Sequence, residues 1–279
     1  MEKALINRII NFSNVDGPGN RMAIFVQHCP FHCLYCHNPE TINLCKNCFA
    51  CVKTCPVSAL SIVDNKVVWD EKKCINCDTC IKTCKFLSSP KVKYYTSEEI
   101  FNKVKEIKPF IRGITVSGGE CTNYVPFLKE LFQQVKKLNL TCLLDSNGCY
   151  DMKEFDDLIQ LSDGVMLDVK AYSNDFHIKL TGNDNKLVLN NLDYLLKVNK
   201  LEEVRTVILP GFEDENYNTV YNVSKLIKDK TKYKIIKYRH FGVRKEGLDV
   251  FKETSVSDSY MSELKELALN NGVKDVIIR

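Results

Sequence analysis

The chain of 279 residues holds no apolar run approaching the roughly 20 residues that cross a bilayer, so no membrane span is expected. Residues 1–12 mix charged and apolar side chains without an apolar segment of secretory type. No leader is expected either, and the protein is read as soluble and cytoplasmic. Basic runs are missing as well. The 39 Lys and Arg and 35 Asp and Glu leave a formal net charge of +4 spread along the chain, the pattern of a solvated surface and not of a nucleic-acid-binding stripe. Low-complexity tracts are absent, and no repeat of fixed period is expected. The length suffices to bury a core, either as one large α/β domain or as a medium domain with a small insert.

Cysteine, by contrast, is abundant, at 14 residues. In a reducing compartment such a count points to metal ligation, because disulfides persist mainly in secreted and periplasmic proteins. The positions fall into three groups. Cys29, Cys33 and Cys36 form a CX3CX2C loop. Cys45, Cys48, Cys51 and Cys55, followed by Pro56, and then Cys74, Cys77, Cys80 and Cys84, each read CX2CX2CX3C. Cys121, Cys142 and Cys149 are scattered and read as buried small hydrophobes without chemistry. The Tyr94–Tyr95 pair reads as core.

Residues 22–28 form an apolar run that reads as a buried strand leading into Cys29. From 41 to about 94 the sequence becomes cysteine-rich, with short elements. A helix then starts at Thr96, which has capping-box spacing to Glu99. Beyond it, strands are expected at 113–116, 141–144, 165–169, 204–209, 233–237 and 276–278, alternating with helices near 126–137, 152–161, 187–198, 217–227 and 258–270. Such alternation implies a parallel sheet with helical crossovers. The units are too few for a closed eight-stranded barrel. The expected fold is α/β, a partial, open parallel β/α barrel of about six strands (1–40 and 95–279) with a small α+β ferredoxin-like insert (41–94). Sites in such folds gather at the carboxyl ends of the strands.

Three thiolates are one short of the four ligands of a [4Fe-4S] cubane, which leaves one iron open to chelate a substrate. Ser117-Gly118-Gly119-Glu120 follows the strand at 113–116, and its glycines let backbone approach a ligand closely. Asp145-Ser146-Asn147-Gly148 and Asp168-Val169-Lys170 end the next two strands, putting two carboxylates and an ammonium at the same end as Cys29. The two four-cysteine runs have the spacing of two-cluster ferredoxins, in which the fourth cysteine of each run serves the other cluster. Zinc sites more often come as separated CX2C pairs.

Cys29-Pro-Phe-His-Cys33-Leu-Tyr-Cys36-His-Asn-Pro resembles the signature of the radical S-adenosylmethionine (SAM) superfamily. With Asp16-Gly-Pro-Gly19, Gly113-Ile-Thr-Val-Ser-Gly-Gly-Glu120 and Ile62-Val-Asp-Asn-Lys-Val-Val-Trp69, nearly the whole chain resembles the glycyl-radical-enzyme activating enzymes, most closely the YjjW-type branch with its two-cluster ferredoxin insert. The resemblance implies three [4Fe-4S] clusters, with SAM chelated by the open iron at Cys29, Cys33 and Cys36. It implies SAM contacts from Tyr35, Cys36, His37, Gly118, Gly119, Glu120, Asp168, Val169 and Lys170. It also implies a monovalent cation held by Asp145, Ser146, Met166 and Asp168, and a late histidine, in register with Arg239 and carried here to His240. The implied activity is that of an anaerobic oxidoreductase that cleaves SAM reductively and takes a hydrogen from a glycine of a partner glycyl radical enzyme. A low-potential electron donor such as flavodoxin or ferredoxin would feed it; neither nucleic acid nor membrane is an expected partner.

Other readings stay open beside this one. The chain could be a radical SAM enzyme acting on a small molecule or peptide, or an iron-sulfur electron-transfer protein built around the eight insert cysteines. In a zinc-stabilised binding module, His28, His32 or His37 would complete the set of Cys29, Cys33 and Cys36. The Ser117–Glu120 and Asp168–Lys170 motifs disfavour the last two, which need no SAM pocket. The insert clusters read as an electron relay, with a purely structural role as the alternative.

Overall fold

The computed structural model describes residues 1–252 and 254–279. Strand β1 (Lys3–Ser13) runs antiparallel to β2 (Arg21–Val26), and β3 (Leu60–Val63) and β4 (Lys66–Trp69) form a separate hairpin. β5 (Lys93–Thr96) returns to pair antiparallel with the outer edge of β1. Then follow β6 (Gly113–Gly118), β7 (Thr141–Ser146), β8 (Gly164–Asp168), β9 (Leu201–Ile208), β10 (Lys232–Lys237) and β11 (Val276–Ile278). β2 and β6 to β11 lie side by side in parallel in chain order, each neighbour one crossover further on. The result is an open sheet, a partial barrel with seven parallel strands where about six were expected.

Helices α1 (Ala50–Thr54) and α2 (Thr79–Thr83) belong to the cysteine-rich segment. α3 (Ser97–Ile107), α4 (Val125–Lys136), α5 (Asp156–Leu161), α6 (Asn174–Thr181), α7 (Lys186–Lys197), α8 (Glu213–Ile227), α9 (Lys245–Phe251) and α10 (Asp258–Asn270) accompany the large sheet. The capping box forms as the spacing requires: Thr96 accepts from the Glu99 amide while the Glu99 carboxylate accepts from the Thr96 amide. α6, α9 and β1 were not anticipated. β1 escapes because Lys3, Arg8 and Asn11 interrupt its apolar residues, yet Ala4, Leu5 and Ile6 are buried. Its pairing draws residues 93 and 94, counted with the insert, into the large sheet. Tyr94 is 63 % exposed there, so it is not core.

Side chains alternate between the two faces of each strand. Ile114 and Val116, Cys142 and Leu144, Val165 and Leu167, Val204 and Ile208, and Tyr233 and Ile235 all lie in one buried apolar cluster with residues of α4, α7, α8 and α10. Each fully buried aliphatic side chain there contributes on the order of 1.5–3 kcal/mol. The alternate positions, Ser117, Asp145, Met166, Asp168, Glu203, Arg205 and Lys234, fall on the opposite, inner face, which is therefore polar. Cys121 and Cys142 are buried and Cys149 half-buried, in keeping with small hydrophobes.

The cysteine-rich segment has a small core of its own, with Cys51, Leu60 and Cys80 buried against Val67, Trp69 and Ile81. Contrary to expectation it is an internal repeat: Cys45, Cys48, Cys51 and Cys55 recur at Cys74, Cys77, Cys80 and Cys84, 29 residues on. Backbone geometry follows the repeat. Asn47 and Phe49 adopt positive φ, as do their counterparts Asn76 and Asp78, and α1 and α2 occupy matching positions. The repeat is short and only its cysteines, Asn47/Asn76 and Lys53-Thr54/Lys82-Thr83 are shared, so a search for long periods passes over it.

Candidate functional site

The first cysteine loop begins where β2 ends, at the carboxyl end of the parallel strands. His28 turns the chain with φ 85°, a conformation uncommon for a side chain with a Cβ, and Cys29 follows. Two pairs of hydrogen bonds fix the turn. The His28 and Cys29 amides donate to the Thr41 and Ile42 carbonyls at 2.8 and 2.9 Å, and the His28 carbonyl accepts from the Glu120 amide and Asn123 Nδ2, both at 2.8 Å. Cys33 is buried and Cys29 and Cys36 nearly so. Burial pushes the Cys36 thiol up to about 12, with Cys33 adding to the shift, and it raises Cys29 and Cys33 likewise. Three cysteines on one tight loop at a strand end are a donor set that fits an iron-sulfur cluster, whose irons would offset the burial that opposes thiolate formation.

Gly118 and Gly119 bring a second strand end against that loop. A Cβ on Gly119 would sit 2.1 Å from the His28 carbonyl oxygen, closer than any side chain permits. Glu120, 1 % exposed, joins this turn to the next: it accepts from Thr122, from Ser146 Oγ at 2.8 Å and from the Asn147 amide at 2.8 Å. Asn147 Nδ2 in turn donates to Cys29 Sγ at 3.3 Å. Neither the bridging role of Glu120 nor the sulfur contact of Asn147 is foreseeable from spacing alone.

Asp168 ends β8 and pairs at 2.9 Å with Lys170, two residues on, whose ammonium lies 5.7 Å from the Tyr35 ring centre. Burial opposes the Lys170 charge, yet Asp168 holds its pKa well above the ordinary lysine value. Tyr35 is buried and its hydroxyl has no hydrogen-bond partner among the described residues, an orphaned donor facing the same group of residues. His37 Nε2 donates to the Arg239 carbonyl at 2.8 Å, which seats the loop after β10 on the cysteine loop. Gly242 in that loop has φ 80°, and its Cβ would meet the His37 carbonyl at 2.4 Å. The His240 ring lies tilted against Phe241, with centres 4.2 Å apart. Tyr35, Cys36, His37, Gly118, Gly119, Asp168, Val169, Lys170 and the His240 loop thus surround one end of the barrel.

Below them lies a charged network that sequence reasoning missed. Arg205 donates to Asp145 at 2.9 Å, pairs with Glu203 and touches the Met166 sulfur at 2.9 Å; Glu203 also pairs with Lys234 at 2.8 Å. Asp145 accepts from Ser117 Oγ at 2.9 Å as well. Burial pushes the Asp145 carboxyl up to about 6, against the pull of Arg205. The expected monovalent cation fits poorly here. Asp145 already faces a guanidinium, Asp168 an ammonium, and the Ser146 hydroxyl is committed to Glu120. The signal was present in Glu203-Val-Arg205, two charges at period-2 spacing inside a strand.

The eight insert cysteines gather in two small apolar-lined cavities. One is lined by Cys55, Cys74, Cys77 and Cys80; the other by Cys45, Cys48, Cys51 and Cys84. Each cavity takes three cysteines from one run and the fourth from the other. Amide-to-sulfur contacts recur at Asn47 to Cys45 (3.4 Å), Asn76 to Cys74 (3.5 Å) and Ala59 to Cys55 (3.2 Å), the donors a sulfur-rich anion wants. Among the described residues no three His, Cys, Asp or Glu side chains are close enough to share one metal ion. A four-iron cluster is larger, and each of its cysteines would bond a separate iron, so they stand further apart than the ligands of one ion.

The Radical SAM superfamily model matches residues 23–227. A Haemophilus influenzae protein named as a glycyl-radical enzyme activating enzyme is 32 % identical, over 91 % of this chain and 91 % of that one. The pyruvate formate-lyase-activating enzyme of Staphylococcus aureus is 29 % identical over 88 % of this chain and 85 % of its own. Among solved structures, QueE from Escherichia coli superposes with a TM-score of 0.55 at 12 % identity, covering 99 % of this chain and 94 % of its own. Streptococcus suis SuiB bound to S-adenosylmethionine gives 0.59 at 11 % identity, over 91 % of this chain and 48 % of its own.

Proposed function

The chain belongs to the radical SAM superfamily and, within it, to the glycyl-radical-enzyme activating enzymes, and from that membership we propose that it installs a radical on one glycine of a partner glycyl radical enzyme, drawing electrons through an insert that carries two further [4Fe-4S] clusters. The carrying observation is the convergence, on one strand-end face, of three cysteines, Cys33 buried and Cys29 and Cys36 partly so, a glycine edge pressed on their loop and the Asp168–Lys170 pair. A cluster and SAM bound there would supply one-electron reductive cleavage of the sulfonium, releasing methionine and, after removal of one hydrogen atom from the glycine α-carbon, 5'-deoxyadenosine.

The residues of the chain serve this chemistry by position. Cys29, Cys33 and Cys36 would hold three irons and leave the fourth for the SAM amino and carboxylate groups. The Gly118–Gly119 backbone offers its edge to the methionine part without a side chain in the way. Lys170, kept charged by Asp168, is a cation for the SAM carboxylate or ribose oxygens, and the buried Tyr35 hydroxyl, without a partner among the described residues, is a donor beside it. Asn147 donates toward Cys29 and would stabilise the more negative, reduced state of the site.

The test is anaerobic reconstitution with iron and sulfide, then SAM, a reductant and a candidate glycyl radical enzyme encoded beside this chain. Electron paramagnetic resonance should show a glycine-centred doublet, with about one 5'-deoxyadenosine per radical, and the doublet should vanish when the partner glycine is replaced by alanine. SAM turnover on a small molecule, with no doublet from any such partner, would move the protein to the small-molecule reading.

A further inference from the structure

A cleft of about 570 Å³ opens between the outer side of β1 and the cysteine-rich insert. Its wall contains Trp69, Asp78 and Lys91, and these same three residues line the cavity of Cys55, Cys74, Cys77 and Cys80. No residue of the cleft lines the other cavity. Instead, that second cavity is tied to the SAM-side cysteine loop. The Cys29 amide donates to Ile42 at 2.9 Å, and Asn43 donates to the Leu87 and Phe86 carbonyls at 2.9 and 3.0 Å, Phe86 being part of that cavity's wall. The two insert cavities therefore stand in series, one facing the cleft and one facing Cys29.

Charge is distributed to match. Residues 41–94 hold nine lysines and four acidic residues, a net +5, whereas the whole chain is only +4, so the remainder is slightly acidic. This lysine surplus also offsets the negative charge that thiolate-ligated clusters bring. At the cleft itself Lys91 is engaged by Asp78 at 2.5 Å. Arg8, Lys93 and Lys103 make no ion pair among the described residues, and Lys93 and Lys103 both lie over the Tyr95 ring, at 5.2 and 5.8 Å. Glu40 and Glu71 line the cleft as well, leaving the free cations in excess.

We propose that this cleft is the docking site of an acidic, low-potential one-electron donor protein, and that its electron enters at the cluster of Cys55, Cys74, Cys77 and Cys80 before passing to that of Cys45, Cys48, Cys51 and Cys84 and on to Cys29, Cys33 and Cys36. The proposal rests on the reading of the insert as cluster-bearing. The donor is oxidised by one electron and the insert cluster reduced by one; no bond changes. Electrostatic steering of such encounters is worth on the order of 10- to 1,000-fold in rate and fades with salt.

The test uses the reconstituted full-length protein, oxidised, mixed with a purified acidic flavodoxin in its hydroquinone form, with bleaching of the iron-sulfur absorbance followed in a stopped flow. In the R8E/K93E/K103E variant the bimolecular rate should fall at least about tenfold and its salt dependence should flatten. Reduction by dithionite should be unchanged, and so should the flavodoxin rate of K46E/K85E, whose reversed charges lie by the other cavity. An unaltered flavodoxin rate in the triple variant, or an equal loss in K46E/K85E, overturns the proposal. The readout needs no SAM, so it decides docking separately from the activase reading, which stands or falls on the glycine-centred doublet formed in the partner by dithionite-reduced wild type.

Discussion

Arg205 is the single cation between two buried carboxylates, and its loss has a magnitude that can be worked from contacts. Arg205→Gln removes the pair to Asp145 at 2.9 Å and the pair to Glu203, with all three side chains 5–13 % exposed. Breaking a buried pair by deleting one partner typically costs about 3–5 kcal/mol, because the other charge is left unpaired. Here the lower end applies. Glu203 keeps Lys234 at 2.8 Å and Asp145 keeps the Ser117 hydroxyl at 2.9 Å, so one carboxylate, not two, loses its cation. For a chain of this size, about 3 kcal/mol corresponds to a fall of roughly 6–12 °C in Tm. Thermal unfolding followed by circular dichroism, on reconstituted protein under anaerobic conditions, measures it. R205Q/D145N should recover part of the loss, since the orphaned charge is then gone. An R205Q variant melting within about 1 °C of wild type would show that water or a bound cation replaces the guanidinium, and the network would lose its assigned role.

Cys84→Ala should remove the cluster spectrum of the Cys45–Cys48–Cys51 set and Cys55→Ala that of the Cys74–Cys77–Cys80 set, each with about four of twelve irons lost; iron counting and Mössbauer spectra that show loss within a run refute the exchange. Gly119→Ala drives a methyl group into the His28 carbonyl at 2.1 Å, so the SAM Kd from calorimetry should rise at least about tenfold, and an unchanged Kd would mean the loop yields freely. Asp168→Ala and Lys170→Ala should each lower the rate of 5'-deoxyadenosine formation by roughly a hundredfold through misplaced SAM; normal turnover returns both to surface charge. The Asp145 carboxyl, raised by burial from 3.8 to about 6, takes up a proton on folding in that range. Its stabilising contribution is present below about pH 4 and is lost as pH rises through about 6, so the stability difference between wild type and D145N should change across that window and be flat above it.

The parallel strands and the helices after them were legible because each strand is buried on its outer face and bounded by turns. Val125–Lys136 and Asp258–Asn270 emerged within a residue of the periodic pattern. Spacing grouped the eight insert cysteines by run, and in the fold each cavity is lined by three cysteines of one run and the fourth of the other. What was hidden lies on the inner face. Glu203 and Arg205 show period-2 spacing, but nothing local reveals that Lys234 on the next strand joins them in one network. β1 was hidden for a related reason: its edge partners β2 and β5 are distant in sequence, and only pairing shows why Lys3 and Arg8 can sit in a strand. Tyr94 was misjudged because apolar character was taken for burial at a position that faces outward.

The junction between insert and barrel constrains how the relay can be probed. The amides of His28 and Cys29 are held by the carbonyls of Thr41 and Ile42, and Gln27 Nε2 donates to the Glu40 and Asn43 carbonyls at 2.8 and 2.6 Å. The first residues of the insert are therefore also the outer wall of the first cysteine loop. Excising 41–94 would leave the backbone of Cys29 without partners at the very site where one iron must stay open, and each orphaned buried amide costs about 1–3 kcal/mol. Loss of SAM cleavage in such a deletion would follow from a distorted loop whether or not electrons pass through the insert. Cysteine substitutions deep in the insert leave Thr41, Ile42 and Asn43 in place. Cys77→Ala, at an exposed corner of the cleft-side cavity, is the cleanest of them. If the clusters stand in series, it should slow donor-driven SAM cleavage while dithionite, small enough to reach the first loop directly, still drives it. Equal loss with both reductants would instead mark the insert as a structural brace for Cys29, Cys33 and Cys36.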